Sequence, residues 1–258
     1  MRTQDTTLAD LTNPGAANDF FTRRRLPPFD PEAKGFSLAN ALWLIELARL
    51  VYRRDNVVPP RGSFLRQAGL EEFRFFDDQP TDTQAMLVRS TSGPKWAALV
   101  FRGTEGNVQD VITDLRTDSV PIAGNNVRVH DGFERGIAAI WKQIEPELPQ
   151  DAPLFFTGHS LGAALATLAA ARHAPRAVYT FGSPLVGNEA FTKTLKDVPI
   201  FRVVDDTDAV TFVPPPILGY LHVGEVHKLA ERPEPPLLLR VEKTFLDHAP
   251  VNYVDRLM

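Results

Sequence analysis

The stretch Leu154-Phe155-Phe156-Thr157-Gly158-His159-Ser160-Leu161-Gly162 runs directly into an alanine-rich segment, 163–171, and its reading decides the fold. A short apolar run, a turn bracketed by glycines and a small-residue helical pattern read as strand, sharp turn and helix. The G-x-S-x-G spacing sets Ser160 at the apex of that turn on strained backbone. Glycines are needed on either side because strand and helix crowd together there. An incidental serine in a glycine turn is the competing reading, and the flanking patterns argue against it.

Downstream, the chain alternates: 133–145 helical, 154–157 extended, 161–173 helical, 178–181 extended, 189–196 helical and 200–204 extended. Alternation of this kind predicts an α/β fold with a mainly parallel central sheet and helices on both faces, its reactive loops at the carboxyl ends of the strands. Ser160, Gly182 and Asp205 fall at such ends. Upstream, 84–89 and 96–101 flank the turn residues Thr91-Ser92-Gly93-Pro94 and predict a hairpin. Leu38, Leu42, Ile45, Leu47, Leu50 and Val51 follow Ser37 at helical spacing and predict a core helix with a serine cap. Residues 1–34 keep no period, carry Arg23-Arg24-Arg25 and three nearby prolines, and read as an irregular arm packed on a single domain, 35–258. A late hairpin is expected over 225–230 and 237–241, across the proline-rich 232–236.

A chain of 258 residues is long enough for one full core. Its net charge of −4 gives no electrostatic ground for nucleic-acid binding. The absence of cysteine removes disulfides, a thiolate nucleophile and Cys-ligated metals together. No apolar run reaches the ~18 residues of a membrane span, and the polar start shows no secretory core, so a soluble, by default cytoplasmic, protein is expected. No metal or other cofactor is expected either: Asp205, Asp206 and Asp208 could suit Ca²⁺, but the run lacks the glycine spacing and the number of oxygens of a calcium loop.

A serine hydroxyl needs a base, and the base needs a group to hold its tautomer. In α/β-hydrolases the chain order is Ser, acid, His, which sets aside His130, His159 and His173 and leaves His222, His227 and His248. His227 lies in a predicted strand, His222 could line the mouth of the site, and His248 sits in a loop before a C-terminal helical stretch, where bases usually stand. The aspartate cluster after 200–204 offers the acid, and chemistry alone does not choose among its members. Two donors are needed for the oxyanion. The Leu161 N–H follows the nucleophile, and Thr104 ends the strand in Phe101-Arg102-Gly103-Thr104.

Five blocks in this order carry a likeness to a family: Phe101-Arg102-Gly103-Thr104; Val129-His130-Asp131-Gly132-Phe133; Gly158 to Gly162; Phe181-Gly182-Ser183-Pro184 with Val186-Gly187-Asn188; and Asp247-His248 with Tyr253. Together with the run from Arg202 to Val210, the chain resembles the class 3 lipases, the filamentous-fungal-type triacylglycerol lipases and their plant and bacterial relatives. The resemblance implies the α/β-hydrolase fold with a short helical lid. It implies a catalytic triad of Ser160, Asp208 and His248, with Thr104 and Leu161 as the oxyanion hole.

The lid falls at about 105–121, where Val108, Val111, Ile112 and Leu115 form a one-sided apolar stripe. An ordinary core-packed helix fits that pattern equally well, and Val111 stands where many relatives carry tryptophan. Val186, Val213, Ile217 and His222 are the candidate substrate pocket, although the 213–218 run could instead seal the domain edge. The expected function is a serine carboxylic ester hydrolase, a triacylglycerol lipase working through an acyl-enzyme on an ester lipid at a transient lipid–water interface. A phospholipase A1 or feruloyl-type esterase would keep the chemistry and change the substrate. A non-enzymatic lipid-binding scaffold is the contrasting class.

Overall fold

The structure, a computed structural model, describes residues 11–104, 119–122, 126–230 and 247–258. Helix α1 (Leu38–Leu50) starts where Ser37 accepts from the Asn40 amide at 3.3 Å, the cap that the sequence predicts. Its residues are buried on nearly every side, the mark of a helix sunk between other elements. After α2 (Arg61–Gln67) come β1 (Leu70–Asp78), β2 (Thr83–Ser90) and β3 (Ala97–Phe101), paired antiparallel in succession. The β2–β3 pair is the expected hairpin. Strand β1 was hidden by its interleaved charges, Glu71, Glu72, Arg74, Asp77 and Asp78, which suit a bulged sheet edge rather than a core strand.

A small ribbon of β4 (Ser119–Pro121) and β5 (Arg128–His130) leads into the amphipathic α3 (Asp131–Ile144). Then follow β6 (Leu154–His159), α4 (Leu161–Arg172), β7 (Ala177–Phe181), α5 (Glu189–Thr194), β8 (Ile200–Val204), β9 (Glu225–Lys228) and α6 (Pro250–Arg256). The main sheet runs β1-β2-β3-β6-β7-β8-β9, parallel from β3 onward. Residues 225–230 were expected to turn back on 237–241. β9 instead pairs in parallel with β8, and 237–241 lies outside the described residues.

Parallel central strands are covered on both faces, which is why β6 and β7 are buried along their whole length and read as mainly apolar. Phe155 joins α1 and the arm on one face, while Phe156 packs with α3 and α4 on the other. Ala163, Ala164, Ala166, Ala169 and Ala170 of α4 are buried and let the helix approach the strands closely. On the α1 face, residues 11–34 pack tightly in spite of their irregularity. Phe20 and Phe29 are buried, Phe29 stacks on Trp96 at 3.9 Å between ring centroids, and Arg23 bonds both oxygens of Asp255 on α6 at 2.6 and 2.8 Å. Among the described residues, no helix is long and apolar enough to cross a membrane.

Candidate active site

The turn between β6 and α4 is as tight as its glycines suggest. Ser160 has φ 60° and ψ −130°, outside the regions an L-residue prefers, and its backbone N–H donates to the Phe181 carbonyl at 3.0 Å. A Cβ at Gly158 would strike the backbone of Gly162 and come within 2.8 Å of the Ala163 nitrogen. One at Gly162 would strike the carbonyl of Phe101 on β3. Both positions therefore need hydrogen where any other residue has carbon. Leu161 opens α4, so its N–H is among those a helix cannot satisfy internally.

Across the turn, β7 is followed by Gly182 at φ 58°, and the loop after β8 carries Asp208. The Asp208 carboxylate is fully buried and receives three donors. The Val210 amide reaches Oδ1 at 2.9 Å, while Nδ1 of His248 and the hydroxyl of Tyr253 both reach Oδ2, at 2.7 and 2.6 Å. A carboxylate held this way assigns the His248 proton to Nδ1 and leaves the Nε2 lone pair available. That Nε2 is buried and has no hydrogen-bond partner among the described residues. Gly182 makes the convergence possible, since a Cβ there would lie 2.8 Å from Asp208 Oδ2 and 3.2 Å from His248 Cε1.

His159, next to the serine, ties the halves of the site together. Its Nε2 lies 2.6 Å from the His248 carbonyl, its Nδ1 lies 3.2 Å from the hydroxyl of Tyr52, and its ring centroid is 4.5 Å from that of His248. Burial first, and then the His248 ring, hold its pKa well below the usual histidine value, so it stays neutral, with Nε2–H donating and Nδ1 accepting. Tyr52 also wedges against Gly103, where a Cβ would collide with the tyrosine hydroxyl and lie 2.6 Å from the His159 carbonyl. This close approach brings Arg102-Gly103-Thr104 alongside the serine turn.

The three clustered aspartates separate. Asp208 meets His248, Asp205 pairs with Arg256, and Asp206 reaches Lys228 at 2.9 Å from an exposed position. Asp205 is thus neutralised by a cation rather than adding bare charge beside Asp208 and His248. Among the described residues, no group of three His, Asp or Glu is arranged to hold a metal ion.

His222 is away from this cluster, donating from Nε2 to the Thr211 carbonyl at 2.8 Å, and burial pushes its pKa down to about 4. Val186 is buried, with its amide 3.3 Å from the Leu221 carbonyl, and the Val213 carbonyl accepts from the Leu185 amide at 2.8 Å. Ile217 is 92% exposed. Val108, Val111, Ile112 and Leu115 lie outside the described residues. Tyr52 gave no sequence signal. Tyr253 stood in a recognised block without a role, and His159 had been considered only as a base.

Residues 98–217 match the family described as Lipase (class 3). A lipase of Rhizopus niveus is 32% identical over 164 residues, which cover 56% of this chain and 41% of that one. A chloroplastic phospholipase A(1) of Arabidopsis thaliana is 30% identical over 208 residues, covering 77% of this chain and 42% of the relative. The chain thus spans about two fifths of the length of these relatives. Among solved structures, a lipase from Rhizopus microsporus var. chinensis superposes with a TM-score of 0.59 at 27% identity, covering 88% of this chain and 77% of that one.

Proposed function

We propose that this chain, which belongs to the class 3 lipase family and has the α/β-hydrolase fold, is a serine carboxylic ester hydrolase, and specifically a triacylglycerol lipase. The observation that carries the reading is the buried His248, tied at Nδ1 to Asp208 at 2.7 Å with Nε2 unpartnered among the described residues, following a chain segment in which Ser160 stands on a strained positive-φ turn. Ser160 Oγ attacks the ester carbonyl carbon while His248 Nε2 takes its proton. Asp208 steadies the imidazolium that forms. The negative charge on the former carbonyl oxygen is met by the Leu161 N–H and by Thr104.

Collapse of that intermediate expels the alcohol, which leaves with the proton from His248, and the acyl group remains on Ser160. Water then attacks the acyl-enzyme, giving its proton to Nε2, and as the acyl bond to Ser160 breaks that proton passes from Nε2 to Oγ, releasing the carboxylic acid and restoring the serine. No step calls for a metal or redox group. The segment 105–121 is the proposed lid on its sequence stripe, and Val186 and Val213 the proposed apolar wall of the substrate site.

A fluorophosphonate that labels serine hydrolases is expected to modify Ser160, as read from the tryptic peptide mass. Ser160→Ala is expected to lose both labelling and hydrolysis of p-nitrophenyl butyrate. Undiminished hydrolysis by that variant would overturn the nucleophile assignment. The phospholipase A(1) relative favours a second reading in which the ester belongs to a phospholipid. Parallel assays on tributyrin and a phospholipid separate the two.

A further inference from the structure

Between the arm, α1 and α2 lies a cavity of about 600 Å³, within the roughly 300–1,000 Å³ in which small ligands are held. Its wall combines the apolar side chains of Phe20, Phe21, Leu26, Trp43 and Phe64 with two guanidinium groups, those of Arg24 and Arg25. We propose that this cavity binds a free long-chain carboxylic acid in its ionised form, at a site separate from the proposed ester site. The choice of a carboxylate as the anionic head rests on the ester-hydrolase reading above, whose product has that chemistry. The cavity, its wall and its charge stand without it.

The apolar wall is recessed. Phe20 and Phe64 are buried and meet edge to face with ring centroids 5.1 Å apart, and Phe21, Leu26 and Trp43 are partly buried against the same core. Trp43 donates its indole N–H to the Pro27 carbonyl at 2.7 Å, so its one polar atom is satisfied and the rest of the ring is apolar surface. None of the five belongs to the large apolar side chains that stand exposed among the described residues, such as Val58, Phe212 and Ile217. Docking on a flat lipid surface needs protruding apolar groups, whereas a recessed wall admits the alkyl chain of a single molecule.

The two arginines supply the complement to a carboxylate. Arg25 is exposed and makes no hydrogen bond or ion pair with any described residue. Arg24 engages Nη1 alone, with the Val254 carbonyl at 3.0 Å and with the Leu257 carbonyl, which leaves Nε and Nη2 unpartnered among the described residues. Those two nitrogens form the side-on fork of a guanidinium, whose parallel N–H groups match the two oxygens of a carboxylate. The preceding residue shows the fit, since Arg23 holds both oxygens of Asp255 through Nε and Nη2 at 2.6 and 2.8 Å. No Asp or Glu is among the described residues that line the cavity.

The backbone adds an independent sign. Phe21 has φ 61°, a region that a bulky L-residue rarely enters. Strain of this kind persists where the surroundings hold it, and it gathers at ligand clamps. Here the Asp19 carbonyl accepts from the Thr22 and Arg23 amides at 3.0 Å each, and Arg23 is fastened to Asp19 and Asp255. The strained turn sets the Phe21 ring 5.7 Å from the Trp43 ring, and both line the cavity. Trp43 stands nine positions before Tyr52, which reaches His159, so the cavity is roughly 13 Å along the helix from the catalytic groups.

Trp43 also reports on its own site. A terminally brominated dodecanoate, used below its micelle concentration with the full chain, is expected to quench tryptophan fluorescence saturably, and Trp43→Phe to lose most of that quenching. The corresponding brominated alcohol is expected to leave it unchanged. Arg25→Gln, exposed and outside the proposed catalytic groups, is expected to weaken binding about tenfold with tributyrin turnover at the wild-type level. Quenching is expected to persist once a fluorophosphonate has blocked Ser160.

Equal binding of acid and alcohol, or an affinity unmoved by Arg25→Gln, would overturn the proposal. So would quenching that vanishes when Ser160 is blocked, which would put the acid in the ester site. Vesicles of brominated phosphatidylglycerol that quench Trp43 while the free acid does not would mark a membrane-docking face and likewise overturn it. If the acid binds as described and no ester is cleaved, the hydrolase reading fails and the cavity stands. If esters are cleaved and the acid does not quench Trp43, the cavity assignment fails alone.

Discussion

The hydroxyl of Tyr253 donates at 2.6 Å to Oδ2 of Asp208, the same oxygen that receives His248 Nδ1 at 2.7 Å. The tyrosine thus helps to hold in place the carboxylate oxygen that His248 meets. Its own ionisation is suppressed by burial and by the adjacent Asp208 carboxylate, so it remains a donor. Tyr253→Phe keeps the buried ring and removes only that hydrogen bond. A loss of about tenfold in kcat with KM unchanged is expected for a charge-assisted bond of roughly 1.5–3 kcal/mol acting on orientation. Steady-state kinetics on p-nitrophenyl butyrate check it, and an unaltered kcat would remove Tyr253 from the positioning of the acid.

The strained serine gives a stability test that does not depend on activity. Positive φ at a non-glycine residue costs on the order of 1–3 kcal/mol, and glycine gives back about 0.5–1 kcal/mol through its freer unfolded chain. Ser160→Gly should therefore unfold in urea with a free energy about 1 kcal/mol above that of Ser160→Ala, both variants being inactive. Equal stabilities would mean that the turn holds no strain at Ser160.

Gly182→Ala tests the crowding around the acid–base pair. The new methyl would lie 2.8 Å from Asp208 Oδ2 and 3.2 Å from His248 Cε1, on a residue at φ 58°. Displacement of either group by about 1 Å is expected to lower kcat roughly 100-fold. A variant that folds normally by circular dichroism and keeps half the wild-type kcat would contradict this geometry.

Acid sensitivity follows from the buried histidines. His159 is held well below its usual pKa, chiefly by burial, and His222 is pushed to about 4 by burial and then by the Arg202 charge. Below about pH 6.5 the unfolded chain takes up protons at both positions and the fold does not. Stability therefore falls with pH, by up to about 1.4 kcal/mol per unit for each histidine. Glu46 works in the opposite sense. Fully buried, with its pKa raised to about 7 by desolvation, it stabilises the fold below its unfolded value, and this contribution is lost as pH rises through 7. Between pH 6.5 and 5 it offsets one histidine, so Glu46→Gln should steepen the loss of stability there by about 1.4 kcal/mol per unit. Urea unfolding at pH 5, 6 and 7 measures the slopes, and parallel curves for wild type and variant would rule out the offset.

The sheet was readable where burial was two-sided and unreadable where it was not. β6, β7 and β8 announce themselves as apolar runs, because parallel strands bury both faces. β1 alternates charge with aromatic residues at an edge, and the arm has no period because its contacts run through single side chains such as Arg23 and Phe29. In the site, the serine turn was visible because its glycines are sterically compelled. Chemistry left Asp205, Asp206 and Asp208 open and family likeness chose among them. The separate ion pairs of Asp205 and Asp206 show why they differ: neighbours in sequence, their side chains leave the loop in different directions. Tyr52 was invisible because its role depends on how closely α1 approaches Gly103, a distance no local pattern encodes.

The dependence of the site on α6 also has a meaning in time. Ser160 is made 88 residues before His248, and His248 is held through the His159 ring, the Asp208 loop and a helix clasped by Arg23 of the arm. A growing chain carries its serine turn long before it has a base to set against it. On the proposed mechanism, ester hydrolysis would report the docking of the arm onto α6, because a chain stopped short of the loop into α6 would carry Ser160 without His248.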